Sequence, residues 1–332
     1  MEKAKIYITR KIPEEAIRFL QKDFEVKVWE EDRPVPREIL LKEVRNVDGL
    51  YVMLTEKIDQ ELLDYASNLK AVSIMAVGYD NIDVSRLTEK GISLTYTPGV
   101  LSDTTADLTF ALLMATARRI TEANRYLLEG KWESWGPMLM AGQDIYGATI
   151  GIIGMGRIGE ALAKRTTGFD MKILYHNRNR RPEIEERLGA EYRSLDDLLR
   201  ESDFVVLLTP LTPETRNLIG ERELGFMKPT SILINASRGA TVDEDALYQA
   251  LVNKKIWAAG LDVFHHEPVP KDHPLLQLEN VVALPHIGSA SIVTRKKMAI
   301  MAAEGLRDAL LGNRPKHMVN SEVWKDNVKF DI

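Results

Sequence analysis

The sequence predicts an α/β protein of two doubly wound domains, each a parallel sheet covered by helices, on three observations. Short β-rich apolar runs alternate with segments of helical period from the first residues onward. A G-x-G-x-x-G turn stands between such a run and a helical segment near the middle of the chain. The length, 332 residues, suits two domains better than one.

Residues 5–10 (KIYITR) read as a first strand. Residues 13–24 carry Ala16, Ile17, Leu20 and Phe24 at helical spacing, with Pro13 tolerated in the first turn. Strand-like runs follow at 25–29, 49–54, 71–75 and 92–96, separated by helical patterns at 37–44, 60–66 and 84–90. This is a small α/β domain without a G-x-G-x-x-G. Thr97-Pro98-Gly99 is a turn and a natural crossing into the next domain. One long helix is then expected from Ser102 or Asp103 to about residue 129, with Leu108, Ala111, Leu112 and Ala115 as its apolar face. Such a helix could be a dimer contact. In the loop 131–137 (KWESWGP), Trp132 and Trp135 read equally as packing or as interface anchors.

Residues 148–180 read strand, glycine turn, helix, strand. Thr149, Ile150, Ile152 and Ile153 supply a buried parallel strand. Gly154 permits the tight turn, Gly156 lets a pyrophosphate approach the backbone, and Gly159 lets helix and strand pack closely. The helix from Arg157 and Ile158 turns its free N–H groups toward the phosphate. A Rossmann-like dinucleotide site follows. The next strand ends in Asn177, Arg178, Asn179 and Arg180, where an NAD site would carry an acid for the ribose 2′-hydroxyl. With no carboxylate there and guanidiniums available, NADP(H) is the expected cofactor and Arg178 and Arg180 are the expected clamps. A solvated basic loop is the alternative reading, and NAD(H) can still bind.

The second domain continues with strands at 204–208, 232–235, 258–263 and 281–284 and a helix at 243–253, giving a sheet of six or seven strands. Ligands of such sheets sit at the carboxyl ends of strands. Thr209 and Pro210, Ala236-Ser237-Arg238, Asp262, and His286-Ile287-Gly288 all lie at or just past those ends. A last helix is expected over 291–313, and the tail to 332 has no pattern.

Net charge of −5 argues against general nucleic-acid affinity, and the basic run at 178–181 is too local to change that. The chain has no cysteine, which excludes disulfides, thiolate metal sites and a thiol nucleophile. No apolar run is long enough to span a membrane and the N-terminus lacks a signal-peptide core, so a cytoplasmic protein with no membrane partner is expected. No metal ligand set is expected.

Of six histidines, His286 is set apart by lying between an apolar strand and a small-residue turn. A histidine suits protonation of the alkoxide that hydride transfer makes from a ketone. A carboxylate such as Glu267 would favour the charged ring and fix its tautomer. An arginine such as Arg238 can hold a substrate carboxylate in a fork. On spacing alone this triple is one choice among several, and a structural ion pair or a surface histidine is the blander one.

AVGYDNID at 76–83, GMGRIG at 154–159, NASRG at 235–239, GLDVFHHEP at 260–268 and PHIGSA at 285–290 together resemble the D-isomer-specific 2-hydroxyacid dehydrogenases. VLSDTTADL at 100–108, KWESWGP at 131–137 and DHPLL at 272–276 look like the glyoxylate/hydroxypyruvate reductase branch. The likeness covers essentially the whole chain. It implies two Rossmann-like domains, with a nucleotide-binding domain at 99–289 inserted into a split substrate domain at 1–98 plus 290–332. It implies catalytic roles for Arg238, Glu267 and His286, and a carboxylate-binding turn at Ala76-Val77-Gly78. Leu54 falls on an apolar pocket position, and Asp262 on the acid near the nicotinamide carboxamide. Trp135 matches a tryptophan that reaches the partner's site across a homodimer. The implied reaction is reduction of a small 2-ketoacid, glyoxylate or hydroxypyruvate, to glycolate or D-glycerate by NADPH. Formate dehydrogenase is disfavoured because Glu267 stands where that branch carries glutamine, and a large regulatory domain, as phosphoglycerate dehydrogenases often have, does not fit the length. Another 2-hydroxyacid specificity, or a nucleotide-sensing binding protein on the same fold, is the alternative.

Overall fold

The computed structural model describes residues 3–324. The apolar runs of the first hundred residues become β1 (Lys5–Ile8), β2 (Glu25–Val28), β3 (Gly49–Val52), β4 (Ala71–Ile74) and β5 (Ser93–Thr95). They pair in parallel in the order β2-β1-β3-β4-β5. β3 and β4 are buried along their whole length, as a sheet covered on both faces requires, whereas the edge strand β2 has no buried residue. Helices α1 (Glu14–Gln21), α2 (Arg37–Glu43), α3 (Gln60–Tyr65) and α4 (Val84–Glu89) connect the strands. The carboxylates of Asp59 and Asp83 cap α3 and α4 by accepting from the Leu62 and Arg86 N–H groups. Strand order reverses between β1 and β3, so the segments after β1, β3 and β4 occupy the place where such sheets present residues to ligands.

Contacts divide the chain into two units, one of the part through Leu101 together with the part from Ser291 onward, the other Ser102–Ala290. The second unit runs α5 (Ser102–Ala117), α6 (Ile120–Leu128), β6 (Thr149–Ile153), α7 (Arg157–Thr166), β7 (Lys172–His176), α8 (Pro182–Leu188), β8 (Glu191–Tyr192), α9 (Leu195–Glu201), β9 (Phe204–Leu207), α10 (Glu221–Leu224), β10 (Ile232–Asn235), α11 (Glu244–Val252), β11 (Ala258–Leu261) and β12 (Val281–Ala283). Its seven strands are all parallel, in the order β12-β11-β10-β9-β6-β7-β8. Alternation along the strands builds two cores. Ile150, Ile152, Phe204, Val206, Ile232 and Ile234 join residues of α5 and α7. Ile153, Val205, Leu207 and Leu233 face the other way and join residues of α9, α10 and α11. The fold is therefore two parallel-sheet α/β domains.

The expected single helix over 102–129 is two. Arg119, at φ 53°, breaks it between α5 and α6. The cause is tertiary. The returning chain puts the Gln143 N–H on the Ala117 carbonyl at 2.9 Å and leaves Gly142 so close that a Cβ would lie 2.1 Å from that oxygen. The apolar face of α5 also differs from the expected one: Ala106, Phe110, Leu112 and Leu113 are buried and Ala111 is exposed. α12 (Ile292–Leu310) returns to the first unit and packs on α1, β3, β4 and β5. Its carbonyls at Ala299 and Ala302 accept from the Tyr51 hydroxyl at 3.1 Å and the Ser73 hydroxyl at 2.8 Å. The patternless tail forms an antiparallel bridge from Met318 to Thr95, and the Asn320 side chain accepts from the Leu94 N–H. The rest of that tail, 325–332, lies outside the described residues.

Candidate active site

In the second unit the order of strands reverses between β6 and β9, and the glycine turn leaves β6 at that point. Gly154 sits at φ +104° with its N–H on the His176 carbonyl at 3.0 Å, and a Cβ there would come within 2.7 Å of the Leu208 backbone. A Cβ on Gly159 would lie 2.5 Å from the Gly154 oxygen, so only glycine lets α7 approach β6. A Cβ on Gly156 would meet nothing within 4 Å, which leaves its backbone open to a ligand at the N-terminus of α7. Across the switch point the Thr209 hydroxyl is buried without a partner among the described residues. An open glycine backbone, a helix N-terminus and an orphaned hydroxyl fit the diphosphate portion of a dinucleotide.

Asn177 does not stand free for a ribose. Its side chain braces the glycine turn, accepting from the Met155 N–H at 2.7 Å and donating to the Met155 carbonyl at 3.3 Å. The two expected clamps part company. Arg180 is forked onto Glu185 at 3.1 and 2.5 Å and lies over the Tyr192 ring, so it is tied into the fold. Arg181 pairs with Glu183 and reaches the Met155 carbonyl at 3.0 Å. Arg178 is exposed and makes no hydrogen bond or close ion pair among the described residues, although its charge helps to lower the pKa of the Glu214 carboxyl; its exposed neighbour Asn179 likewise makes no hydrogen bond among them.

The reactive constellation gathers from three strand ends. After β10, the buried Asn235 side chain accepts from the Ser237 N–H and hydroxyl and donates to the Arg238 carbonyl at 3.0 Å, which shapes the Ala236-Ser237-Arg238 turn. At the end of β11, Asp262 is 1% exposed and takes the Ile287 and Gly288 N–H groups, each at 2.8 Å, while its carbonyl takes the His286 N–H at 2.9 Å. The N–H groups of Ile287 and Gly288 are therefore committed to Asp262 and not left for a cofactor. Burial raises the Asp262 pKa above the ordinary carboxylate value, against the pull of those two N–H groups and of the His286 charge.

This grip holds His286 at φ 53°, a conformation uncommon outside glycine and found where surroundings over-determine it. Its Nδ1 lies 2.6 Å from Glu267 Oε2. The other Glu267 oxygen accepts the Phe264 N–H at 3.0 Å. Burial alone would raise the Glu267 pKa. The bond and charge of His286, the Phe264 N–H and the charge of Arg238 outweigh it, and the pKa falls below the usual value. Glu267 is thus ionised at neutral pH, His286 donates from Nδ1, and Nε2 is left to exchange a proton. Arg238, Glu267 and His286 form one electrostatic group.

The remaining candidates lie elsewhere. In the first unit Ala76 is buried, and the N–H groups of Ala76, Val77 and Gly78 meet no acceptor among the described residues. Leu54, half-buried, follows β3 on a loop braced by a carboxylate that sequence reasoning missed. Glu56 is 3% exposed and accepts from the Thr9 hydroxyl at 2.8 Å and the Met53 N–H at 2.7 Å. Trp135 is 78% exposed in the single chain, and α6 buries none of its residues. Among the described residues no group of three or more His, Asp or Glu is placed to hold a metal ion, and no helix is long and apolar enough to cross a membrane.

Residues 110–288 match the family model for the NAD binding domain of D-isomer specific 2-hydroxyacid dehydrogenases. A glyoxylate reductase of Korarchaeum cryptofilum is 51% identical over 324 residues, covering 97% of this chain and 98% of its own. A crystal structure of a Thermus thermophilus protein superposes with a TM-score of 0.90 at 44% identity, over 95% of this chain and 99% of its own. A Sinorhizobium meliloti NADPH-dependent glyoxylate/hydroxypyruvate reductase, solved with NADP and malonate, superposes with a TM-score of 0.86 at 34% identity, over 98% of this chain and 100% of its own.

Proposed function

The chain belongs to the D-isomer-specific 2-hydroxyacid dehydrogenase family, and from that premise we propose that it reduces glyoxylate, and hydroxypyruvate beside it, with NADPH. The observation that carries the reading is the 2.6 Å pair of His286 Nδ1 with an ionised Glu267 in the field of Arg238. A nicotinamide cofactor held along Gly154–Gly159 and Thr209-Pro210 would supply the hydride. Arg238 holds the substrate carboxylate and draws charge from the adjacent carbonyl. Glu267 fixes the ring of His286 through Nδ1, and Nε2 gives the proton to the substrate oxygen. The unsatisfied N–H groups at Ala76-Val77-Gly78 suit an anion and, with Leu54, are the proposed substrate contacts of the first unit. Oxidation of NADPH under steady state with glyoxylate, hydroxypyruvate and pyruvate tests the assignment. Turnover of glyoxylate supports it. Failure with every 2-ketoacid, with NADPH still bound, replaces it with a nucleotide-sensing role.

For the cofactor, the proposal narrows the 2′-phosphate clamp to Arg178. Arg178→Ser should raise the KM for NADPH by about 10-fold, the worth of one charge-assisted hydrogen bond, and leave the KM for NADH nearly unchanged. Arg180→Ser should alter neither much, because Glu185 already occupies that guanidinium. Equal effects of Arg178→Ser on both cofactors reject the clamp.

A homodimer is the proposed assembly. Ile120, Leu127, Leu128, Trp132, Trp135 and Met138, all large apolar side chains within residues 120–138, are exposed. Light scattering of the wild type should give the dimer mass, and Leu128→Asp should move it toward the monomer. If the partner subunit's Trp135 reaches the site, Trp135→Ala should raise the ketoacid KM without altering NADPH affinity. A monomeric wild type rejects the assembly.

A further inference from the structure

Glu267 stands on residues 262–273, a segment with neither helix nor strand. A 2.6 Å bond to His286 nevertheless demands a fixed backbone. Glu267 Oε1 accepts the Phe264 N–H, and the next N–H along, that of His265, donates to Glu244 Oε1 at 2.8 Å. Glu244 is the first residue of α11, in a turn closed by the Asp243 carboxylate on the Ala246 N–H. Its second oxygen lies 3.4 Å from Nε2 of His273, at the far end of the same segment. His273 Nδ1 is buried without a partner among the described residues. Leaving a lone pair unmatched costs less than stranding an N–H, so the ring carries its proton on Nε2 and directs it to Glu244. The His273 ring also stands edge-on to Phe264, with centroids 6.0 Å apart. The Phe264 peptide has no room to retreat, because a Cβ on Gly239 would lie 1.9 Å from its carbonyl carbon. One carboxylate therefore fastens both ends of the segment, one peptide away from the amide that orients Glu267.

We propose that Glu244, supported by His273, is a positioning residue that sets the Glu267–His286 pair. It acts through the 264–265 peptide. Without it that peptide keeps only its packing against Gly239, its tilt is no longer fixed by a hydrogen bond, the Phe264 N–H shifts under Glu267 Oε1, and Oε2 slackens against His286. The inference rests on the reductase reading for its activity readout but not for its structural one.

A double-mutant cycle and one imidazole resonance test it. Glu244→Ala should lower kcat for ketoacid reduction by about 10- to 100-fold, the scale of a small misplacement of a reacting group. NADPH affinity and the unfolding midpoint should stay near the wild type. Glu244→Gln, which can still accept the His265 N–H, should recover most of the loss. In a Glu267→Gln background Glu244→Ala should add only about twofold or less, since the group it positions is already gone. Equal losses in both backgrounds overturn the proposal. His273→Gln serves in the same cycle if Glu244→Ala does not fold. The second readout uses cofactor-free protein with nitrogen-labelled histidine. The His286 Nδ1 proton, shifted downfield by its short bond, should move upfield or broaden in Glu244→Ala and return in Glu244→Gln. An unchanged resonance overturns the proposal whatever the activity. A responsive resonance in a protein that reduces no 2-ketoacid leaves the positioning intact and removes only the reductase reading.

Discussion

Replacing His286 by alanine should lower kcat for ketoacid reduction by about 1,000-fold, inside the roughly 10²–10⁴ that a placed general acid contributes. NADPH affinity should be nearly untouched, since the glycine turn and Thr209 belong to other strand ends. The ring is gripped at Nδ1 by Glu267 and by its backbone at Asp262, so Nε2 is the atom left to give a proton. Alanine also sits poorly at φ 53°, which confuses loss of the donor with loss of the turn. His286→Asn separates the two, because asparagine accepts a positive φ and lacks an imidazole. Both variants should fall together in kcat, measured by NADPH oxidation at saturating ketoacid. If His286→Asn keeps near-wild-type turnover, His286 is not the acid.

The parallel sheets were legible in the sequence because their strands are buried on both faces and so read as unbroken apolar runs, as at Ile150–Ile153 and Phe204–Leu207. The break at Arg119 was not, because its cause is a chain segment that returns more than twenty residues later to cap Ala117. β8, α8 and α9 were passed over because a two-residue strand and short charged helices carry too little periodicity to declare themselves. At the site, the residue types of Arg238, Glu267 and His286 suggested hydride chemistry, but spacing alone did not choose them; the motifs around them did. Asn235, Glu56 and Glu244 were missed for one reason. Each works by a contact distant in sequence or by shaping a turn, as when Glu56 takes the Thr9 hydroxyl across 47 residues. Arg180 shows the converse. Its type and position suit a phosphate, and only the fold reveals that Glu185, five residues on, already holds it.

Exchanging Glu267 for glutamine should both slow the enzyme and move its pH profile, and the directions follow from the site. The Glu267 pKa is depressed below the usual carboxylate value, with burial opposed and outweighed by His286, the Phe264 N–H and Arg238. A depressed carboxylate contributes its stability fully above its unfolded value, about 4.3, and loses it as pH falls through the lower folded value. Across neutral pH the carboxylate is therefore charged and does not titrate. The acid-side loss of the pair begins only below the ordinary carboxylate range. At neutral pH that charge faces His286 Nδ1 at 2.6 Å. A neutral amide removes it. In Glu267→Gln any acid limb set by the carboxylate should vanish. At neutral pH kcat should fall by about 100-fold, within the range for impaired general acid catalysis. The amide oxygen can still accept from either His286 or Phe264, so the fold should survive and NADPH should bind as before. Rate profiles from about pH 3 to 8 read out that limb. An acid limb that persists in Glu267→Gln would mean that a group other than Glu267 sets it.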